Sequence, residues 1–576
     1  MNNALSLPQN KTFHFLPLTF RITVWSKLKP YFVDLLKRNI NSKEALQNWL
    51  TDRSELNAAI EEEVNQRYIL LSKDVNNEQA ASTYNYLVQE VMPAIALMDQ
   101  KLDKRLLGSP FCEHLAADQY FIHLRAIRNR VHLYREENLD LLAQIKVKTQ
   151  TYGRVFGQTL IHYQGEEQTI GYMRKLLENP QRSIRKEAYL TICEQLSKKS
   201  ETMESLFDEL LQLRQQVAEN AGFANYRDFR FRELERFDYS PDDCKRFHLA
   251  VQTEVLPFCS DVNQERKRKL RLEQLRPWDL QMNMGSPRRM SPFDNEEDLL
   301  EKAKACLAKI HPSFANYIQR LQNKGHLDLM ARKGKRPGGF TVPLPRTKTP
   351  YLFMSASCSK KDIRTFFHES GHSIHFFLMH SLQLDSARKP TLEVAEMAAM
   401  ALELLSMDYW GTFYDDPTDL RFAKINQLEK ILHTLPWVAT VDRFQHWLYE
   451  NPQHTRAERS QYWTSLMQQY QSPVVEWTGI EQYIDKVWHR QSHIFKFPFY
   501  YIEYAFAQLG AIAIWKNYRE NPTKTIQQYC QALRLGNTRT LKETFQVAGI
   551  RFDFSRAYLR ELVSFVKKEL DQLRNA

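Results

Sequence analysis

Two histidines and a glutamate lie close together at His368, Glu369 and His372. On an α-helix, positions four residues apart lie on the same face, so the two imidazoles could share one zinc ion. A glutamate directly after the first histidine is placed to act as a general base toward a water molecule at that ion. The alternative is a pair of ordinary core histidines. The strongly apolar flanks predict a buried helix near residues 361–380, and a cation would offset the desolvation of its polar groups.

A third ligand is not supplied by the next histidines along the chain. A further histidine six residues after the second one would complete a metzincin site, but Leu378 occupies that position. His375 and His380 do not have the required spacing, and we interpret them as packing groups or as neighbours of the ligands.

A following helix near residues 391–409 carries carboxylates in an alanine-rich and leucine-rich segment, at Glu393, Glu396 and Glu403. A carboxylate on so apolar a helix needs a metal ion or a hydrogen-bonding partner. Glu396 and Glu403 are seven residues apart and therefore face the same way, so one could bind the metal while the other orients a ligand histidine. Spacing alone does not choose between Glu393 and Glu396 as the ligand.

The elements that would position these side chains are mainly helices. Helical periodicity runs through most of the chain, and 17 glycines against 26 tyrosines and 33 phenylalanines agree with an aromatic, helical core. The β signal starts after Gly338 and Gly339, where two short strands joined by a turn near Arg346–Pro350 are predicted. The prolines suggest edge positions, so a peptide substrate could pair with the backbone around Tyr351–Ser357, with the two glycines at the binding loop.

The bulk properties limit the other classes of function. The net charge of +11 and the basic segments Arg266–Lys269, Arg271 and Arg288–Arg289 would suit a nucleic-acid binder, but no recognition motif accompanies them. A solvated helix face explains the charge better, and we expect no nucleic-acid partner. No apolar run of about 18 residues predicts a membrane helix, and no signal peptide is visible, so we expect a cytoplasmic protein. Seven scattered cysteines without a C-x-x-C pair predict reduced thiols and exclude a thiolate zinc cluster of the usual spacing.

Beyond these residues, the sequence resembles the oligoendopeptidase F branch of the thimet oligopeptidase family. The similarity includes GKRPGGFTVPLPRTKTPYLFM before RTFFHESGHSIH, then EMAAMALELL, FQHWLYENPQHT and HIFKFPFYYIEYAFAQLGA. It covers residues 180–560, so we predict an N-terminal helical region over 1–180 and a catalytic domain over 181–576. The resemblance implies a mainly α zinc-peptidase fold with a small sheet beside the histidine-bearing helix. It also implies a deep channel that admits short, unfolded peptides.

The family pattern carries over onto particular residues. It implies one zinc ion per chain held by His368, His372 and Glu396, with Glu403 behind a ligand. This sequence has Ala399 where relatives usually carry a serine, which we expect to be harmless because that serine is not a ligand.

A second segment, near residues 489–515, holds the other candidate groups of the active site. In relatives a histidine and tyrosines of this segment close over the substrate, and a phenol donates a hydrogen bond to the oxyanion. The matching residues here are His493, Tyr501 and Tyr504, with Tyr500 as a substrate-binding neighbour and His489 as a competing histidine. The spacing of Tyr501 and Tyr504 by three places them on one helical face.

The combined prediction is a zinc-dependent endopeptidase that hydrolyses short oligopeptides, with Glu369 as general base. A zinc carboxypeptidase of similar helical fold and a peptide-binding pseudoenzyme are the alternatives. The sequence does not indicate a cleavage preference, an oligomeric state or the metal bound in the cell.

Overall fold

The computed structural model of the chain describes residues 14–17, 19–157, 159–282 and 291–575. Most of these residues form helices, and the described strands form two small sheets. The mainly α fold predicted from the sequence is therefore confirmed. Among the described residues, no helix combines the length and the apolar character that a bilayer crossing would need.

The helices are numbered here in chain order. The first twelve, α1 to α12, are Trp25–Lys37, Lys43–Lys73, Glu78–Tyr86, Met92–Leu107, Ala117–Leu133, Asn138–Gly157, Ile170–Leu176, Arg182–Ser197, Ser200–Asn220, Tyr226–Glu233, Pro241–Ala250 and Leu256–Lys269. The remaining ones, α13 to α23, are Glu296–Ile310, Pro312–Asn323, Lys360–Met379, Leu392–Met407, Pro417–Glu450, Arg456–Tyr470, Ser492–Lys496, Ile502–Glu520, Pro522–Arg534, Leu541–Val547 and Arg556–Asn575. The two helices predicted to carry the metal ligands are α15 and α16.

A first hairpin is present that the sequence analysis does not predict. Strands β1 (Leu160–Tyr163) and β2 (Glu166–Thr169) pair in antiparallel register. The turn between them consists of Gln164 and Gly165, both with positive φ, as tight hairpin turns require. The signal that could have revealed the hairpin is this glycine, which stands between two short segments that contain polar and apolar residues.

The second sheet has three strands in the order β3-β5-β4, formed by β3 (Leu327–Met330), β4 (Gly339–Leu344) and β5 (Thr349–Ala356). The predicted hairpin is present as β4 and β5, which pair in antiparallel register. The prediction that Tyr351–Ser357 lies at an edge is wrong, because β3 pairs in parallel with the other side of β5. β3 is too short to show an alternating pattern, so no local signal indicated that β5 would be central.

The chain divides into two compact units, each described here by itself as far as its residues are described. One consists of Met1–His132, Arg288–Leu420 and Phe506–Phe552, and it contains the three-stranded sheet with α15 and α16. The other consists of Leu133–Pro287, Arg421–Ala505 and Asp553–Ala576. The domain boundary near residue 180 stays a prediction.

The basic run at the end of α12 is partly used within the protein. Arg266 donates a hydrogen bond to the carbonyl of Met282 at 2.7 Å and lies 3.6 Å from the Glu429 carboxylate. Lys269 forms an ion pair with Glu265 at 2.7 Å. The other basic segment, Arg288–Arg289, lies outside the described residues.

Candidate active site

Helix α15 begins at a capped turn directly after the central strand β5. The carboxylate of Asp362 accepts hydrogen bonds from the backbone N–H groups of Ser357 at 2.9 Å and Ser359 at 2.8 Å. Such a cap satisfies donors that the first helical turn leaves unpaired, and it fixes where the helix starts. The register of α15 and hence the direction of its histidines are set by this turn.

Helices α15 and α16 approach each other closely at Gly371. A Cβ atom on this glycine would lie 2.5 Å from Cα of Ala399 and 3.0 Å from the carbonyl oxygen of Ala398. Real Cβ atoms do not come so close to a backbone, so only glycine allows this packing. Sequence reasoning missed this role, because only the packing of the two helices reveals what lies opposite the glycine.

The close approach brings three possible metal ligands together. The donor atoms of His368, His372 and Glu396 all lie within 4.8 Å of one another. Oε2 of Glu396 lies 3.4 Å from Nε2 of His368, and it has no hydrogen-bond partner among the described residues. Two imidazole nitrogens and one carboxylate oxygen form a donor set that suits zinc and leaves a coordination position open. Packing thus brings Glu396, and not Glu393, to the histidines.

Glu403, two turns further along α16, contacts the first histidine from behind. Its Oε1 lies 2.8 Å from Nδ1 of His368, and Nε of Arg364 lies 3.8 Å from its other oxygen. Although burial opposes the charged imidazole, the hydrogen bond to Glu403 and the nearby carboxylates raise the pKa of His368 to about 9. A carboxylate at Nδ1 keeps the proton on that nitrogen and leaves Nε2 available for a metal ion.

Glu369 is buried against strand β4. Oγ1 of Thr341 donates hydrogen bonds to its Oε2 at 2.9 Å and its backbone carbonyl at 3.0 Å. A Cβ atom on Gly339 would lie 3.3 Å from Oε1 of Glu369 and 2.8 Å from the methyl group of Thr365. Strand β4 can therefore approach Glu369 this closely only because residue 339 has no side chain. Burial raises the pKa of Glu369 to about 7, and the Thr341 hydrogen bond opposes this shift. Nothing in the spacing of the sequence indicated Thr341.

Burial shifts the pKa values of the two other titratable groups of this cluster, Glu396 and His372. Burial raises the pKa of Glu396, so an isolated charge there is unfavourable. Burial lowers the pKa of His372 well below its usual value, which keeps the imidazole neutral and able to act as a ligand. A divalent cation would favour the carboxylate form of Glu396 and the neutral form of both imidazoles.

The second candidate group, in the other unit, is an aromatic cluster around His493. Its ring centroid lies 4.6 Å from that of Tyr501 and 6.2 Å from that of Tyr504, and it stacks on Tyr500 at 5.8 Å. Burial lowers the pKa of His493 to about 4 and raises that of Tyr501 to about 12, so both are neutral near pH 7. Helix α20 begins at Ile502, so Tyr501 lies one residue before it, and the ring centroids of Tyr501 and Tyr504 are 5.8 Å apart.

A strained turn at Phe499 supports this cluster. Phe499 is fully buried with φ of 64°, a left-handed conformation that residues other than glycine seldom adopt. Its N–H donates to Oε1 of Gln445 at 2.8 Å, and its carbonyl accepts a hydrogen bond from Arg236. Arg236 also forms a buried ion pair with Glu503 at 2.6 Å. These contacts hold a conformation that would otherwise relax, and they fix the backbone from which the tyrosines extend.

The other histidines considered from the sequence lie in different surroundings. Nε2 of His489 lies 2.9 Å from Oε1 of Glu204, which also forms a buried ion pair with Arg459. His375 is fully buried, and burial lowers its pKa to about 4. His380 stacks on Phe376 with ring centroids 6.0 Å apart. His493 is therefore the histidine that contacts the tyrosines.

Known proteins resemble the chain over nearly its whole length. The profile described as Peptidase family M3 matches residues 175–564, and that of the Peptidase M3 N-terminal domain matches residues 15–134. Oligoendopeptidase F homolog of Borreliella burgdorferi is 20% identical over 533 residues, which cover 88% of this chain and 86% of that protein. Oligopeptidase PepF of Bacillus subtilis is 23% identical over 492 residues, covering 82% of this chain and 70% of that protein.

The fold is shared with solved structures as well. The structure of PZ peptidase A with inhibitor 2 matches with a TM-score of 0.86 at 24% identity, covering 95% of this chain and 97% of that one. The family profile covers well over half of the chain and includes both helices that carry the candidate ligands. The chain therefore belongs to peptidase family M3, and the part of that family it resembles is the oligoendopeptidase F branch.

Proposed function

We propose that this protein is a zinc-dependent endopeptidase that hydrolyses short, unfolded oligopeptides in the cytoplasm. The observation that carries the proposal is the convergence of His368, His372 and Glu396 beside the buried carboxyl of Glu369. The family membership supports a peptidase, and the names of the relatives support oligopeptides as substrates.

His368, His372 and Glu396 would hold the zinc ion. The fit rests on their donor types and on Oε2 of Glu396, a buried oxygen with no hydrogen-bond partner among the described residues. When bound, zinc would polarise the peptide carbonyl and lower the pKa of a water molecule at the ion. Glu403 would orient His368 through the hydrogen bond at Nδ1.

Glu369 is the proposed general base. Its carboxylate would take a proton from the attacking water as the water oxygen bonds to the carbonyl carbon. The same carboxyl would then deliver that proton to the leaving amine as the carbon–nitrogen bond breaks. Burial opposes the loss of the proton from Glu369, which suits a group that must both accept and release one proton.

Tyr504 is the proposed donor to the oxyanion, with Tyr501 and His493 as its partners. This role rests on the resemblance and on the chemistry of the cluster, where burial keeps the Tyr501 phenol protonated. A phenol that holds its proton can donate a hydrogen bond to developing negative charge.

The substrate backbone is proposed to pair with strand β4. Among the described residues, no strand pairs with the other edge of β4, and Asn65 takes up only the Pro343 carbonyl there, so we infer that an extended peptide pairs with its first residues. Gly338 has φ of 103°, and a Cβ atom placed on it would have no neighbour within 4 Å, so its turn leads into β4 without obstruction. Gly338 and Gly339 would thus form the binding loop, and Tyr500 would contact the substrate from the other segment.

Peptides with blocked termini test this function. The purified protein should cleave them at internal bonds, lose activity to a chelator and recover it with zinc. A carboxypeptidase would require a free carboxyl terminus. If the protein cleaves only the unblocked peptides, the result contradicts an endopeptidase and supports a carboxypeptidase. Tight peptide binding without cleavage by the zinc-loaded protein would indicate the pseudoenzyme instead.

Thr341→Val should move the acidic limb of the pH–activity profile to higher pH. The general base works as a carboxylate, so activity is lost as pH falls through the pKa of Glu369. The Thr341 hydrogen bond lowers that pKa, and its removal therefore raises it. The profile of kcat/KM against pH measures the shift, and Thr341→Ser, which keeps the hydroxyl, should retain the wild-type limb. An unchanged limb in the valine variant would contradict the role of Glu369 as the titrating base.

Glu403→Gln should weaken zinc binding by about 10–100-fold, because the ligand histidine loses its carboxylate partner. Competition with a chromogenic chelator measures this affinity. Glu393→Gln is the matched control, since it changes another buried glutamate of α16 that is outside the ligand group. Equal zinc affinity in the two variants would rule out a special role for Glu403.

Tyr504→Phe should lower kcat by about 100-fold with little change in zinc content, as expected for the loss of one oxyanion donor. Tyr501→Phe, measured beside it, shows which phenol acts on the reacting carbonyl. If both variants turn over at the wild-type rate, neither tyrosine is the donor.

A further inference from the structure

A second group of possible metal ligands lies in the other unit, between helices α11 and α17. Cys244 and His248 are four residues apart on α11, and Asp442 and His446 are four residues apart on α17. Each pair therefore projects from one face of its helix. All four side chains belong to residues that are at most 2% exposed. This arrangement of two facing pairs is what a metal site between two helices needs.

The donor atoms of the group converge. Those of Cys244, Asp442 and His446 lie within 4.8 Å of one another. Nε2 of His248 lies 2.8 Å from Oδ2 of Asp442, and Nε2 of His446 lies 3.3 Å from the same oxygen. The donor atoms bound to one tetrahedral zinc ion are about 3.5 Å apart from one another. The donor atoms of this group would therefore have to move closer together by roughly 1 Å to bind an ion.

Hydrogen bonds satisfy this group only in part: His248 bonds to Oδ2 of Asp442, and other polar atoms of the group have no partner among the described residues. Oδ1 of Asp442 and both ring nitrogens of His446 have no hydrogen-bond partner among the described residues. A buried polar atom without a partner destabilises the folded state, and more so when it is charged.

We propose that Cys244, Asp442 and His446 form a second metal site for a divalent cation of the zinc type. Sulfur, oxygen and nitrogen donors together suit Zn²⁺ better than Mg²⁺ or Ca²⁺, which take oxygen ligands. The cation binds the Cys244 sulfur as a thiolate, and the thiol proton is released to solvent. His248 stays hydrogen-bonded to Oδ2 of Asp442 and orients the ligand carboxylate.

The charges of the site balance. A divalent cation with one thiolate and one carboxylate has no net charge, which favours it in a fully buried position. Arg236 contributes a nearby positive charge, but its guanidinium forms the buried ion pair with Glu503. The second ion would tie α11 to α17, and it is independent of the catalytic zinc proposed above.

Cobalt distinguishes the two sites, because a cobalt–thiolate bond absorbs strongly in the near ultraviolet and cobalt bound to nitrogen and oxygen does not. The full chain, produced in cobalt medium, should contain about two ions and show the thiolate band. His372→Ala should lose about one ion, from the catalytic site, and keep the band. Cys244→Ser should lose the other ion and the band.

Cys259→Ser is the matched control. Cys259 is another buried cysteine of the same unit, and its sulfur lies 3.9 Å from the Leu432 carbonyl on the same helix α17. This variant should keep both ions and the band. Wild-type protein without a thiolate band overturns the second site, as does a band that survives Cys244→Ser. Should Cys244→Ser not fold, the spectra of wild type and His372→Ala decide the matter. If the wild-type protein contains one ion and shows the thiolate band, the result supports the site at Cys244 and contradicts the proposed catalytic site.

Discussion

Glu369→Gln is expected to lower turnover by about 10²–10⁴-fold while the protein keeps its metal. The amide has the shape of the carboxyl and can still accept the hydrogen bond from Thr341, so the packing against strand β4 is retained. It cannot take a proton from water at neutral pH. The imidazoles of His368 and His372 and the carboxylate of Glu396 are unchanged, so zinc affinity should remain near that of the wild type. Single-turnover cleavage of a blocked peptide and metal analysis of the same sample measure both quantities.

Glu61→Gln provides the control for this result. Glu61 is a half-buried carboxyl in the same unit, 3.3 Å from Lys389, and burial raises its pKa as well. If a raised pKa were sufficient for catalysis, both variants would lose activity. We expect Glu61→Gln to turn over like the wild type, and near-normal turnover by Glu369→Gln would rule out Glu369 as the base.

Gly371→Ala is expected to disrupt the proposed metal site, although Gly371 itself supplies no ligand. The added methyl group would lie 2.5 Å from Cα of Ala399, so it must push α16 away from α15. The nearest atoms belong to the backbone, and no rotation of a side chain can relieve the contact. Overpacking of this kind costs about 1–3 kcal/mol. Because Glu396 lies one turn before Ala399, the displacement also moves this proposed third ligand away from the histidines. Urea unfolding and zinc titration measure the two effects.

Gly157→Ala is the matched control for the helical glycine. Gly157 is the last residue of α6, is exposed, and would have no neighbour within 4 Å of an added Cβ atom. An alanine there should leave stability within about 1 kcal/mol of the wild type and leave zinc binding unchanged. Wild-type zinc affinity and stability in Gly371→Ala would mean that the helices can separate without consequence for the site.

Local periodicity accounts for what could be read from the sequence. The prediction of a helix over 361–380 for His368 and His372 agrees with the observed Lys360–Met379, and that of a second helix over 391–409 agrees with Leu392–Met407. Both have apolar residues at helical spacing, and the relation between positions four apart is a property of the helix itself. The pair β4 and β5 was predictable for the same reason, since its turn and alternation are local.

Contacts between distant segments were beyond such reasoning. The choice of Glu396 over Glu393 depends on how α16 packs on α15, and that packing depends on Gly371 meeting Ala399. The contact of Thr341 with Glu369 joins residues 28 positions apart. Strand β3 lies outside the β4–β5 hairpin in the sequence, and its pairing with β5 makes β5 the central strand. The predicted edge position of β5 is therefore wrong.

The sequence by itself determined the chemistry available to this protein: two imidazoles and a carboxyl on one helix, and carboxylates on the next. These follow from residue identity and from the 3.6-residue turn, which need no tertiary information. Only the tertiary structure decided which carboxylate reaches the histidines, what buries Glu369, and that Cys244 and His446 converge although they are distant in the sequence. The physical reason is that burial and ligand distance depend on packing between segments, and packing is set by shapes that no local pattern records.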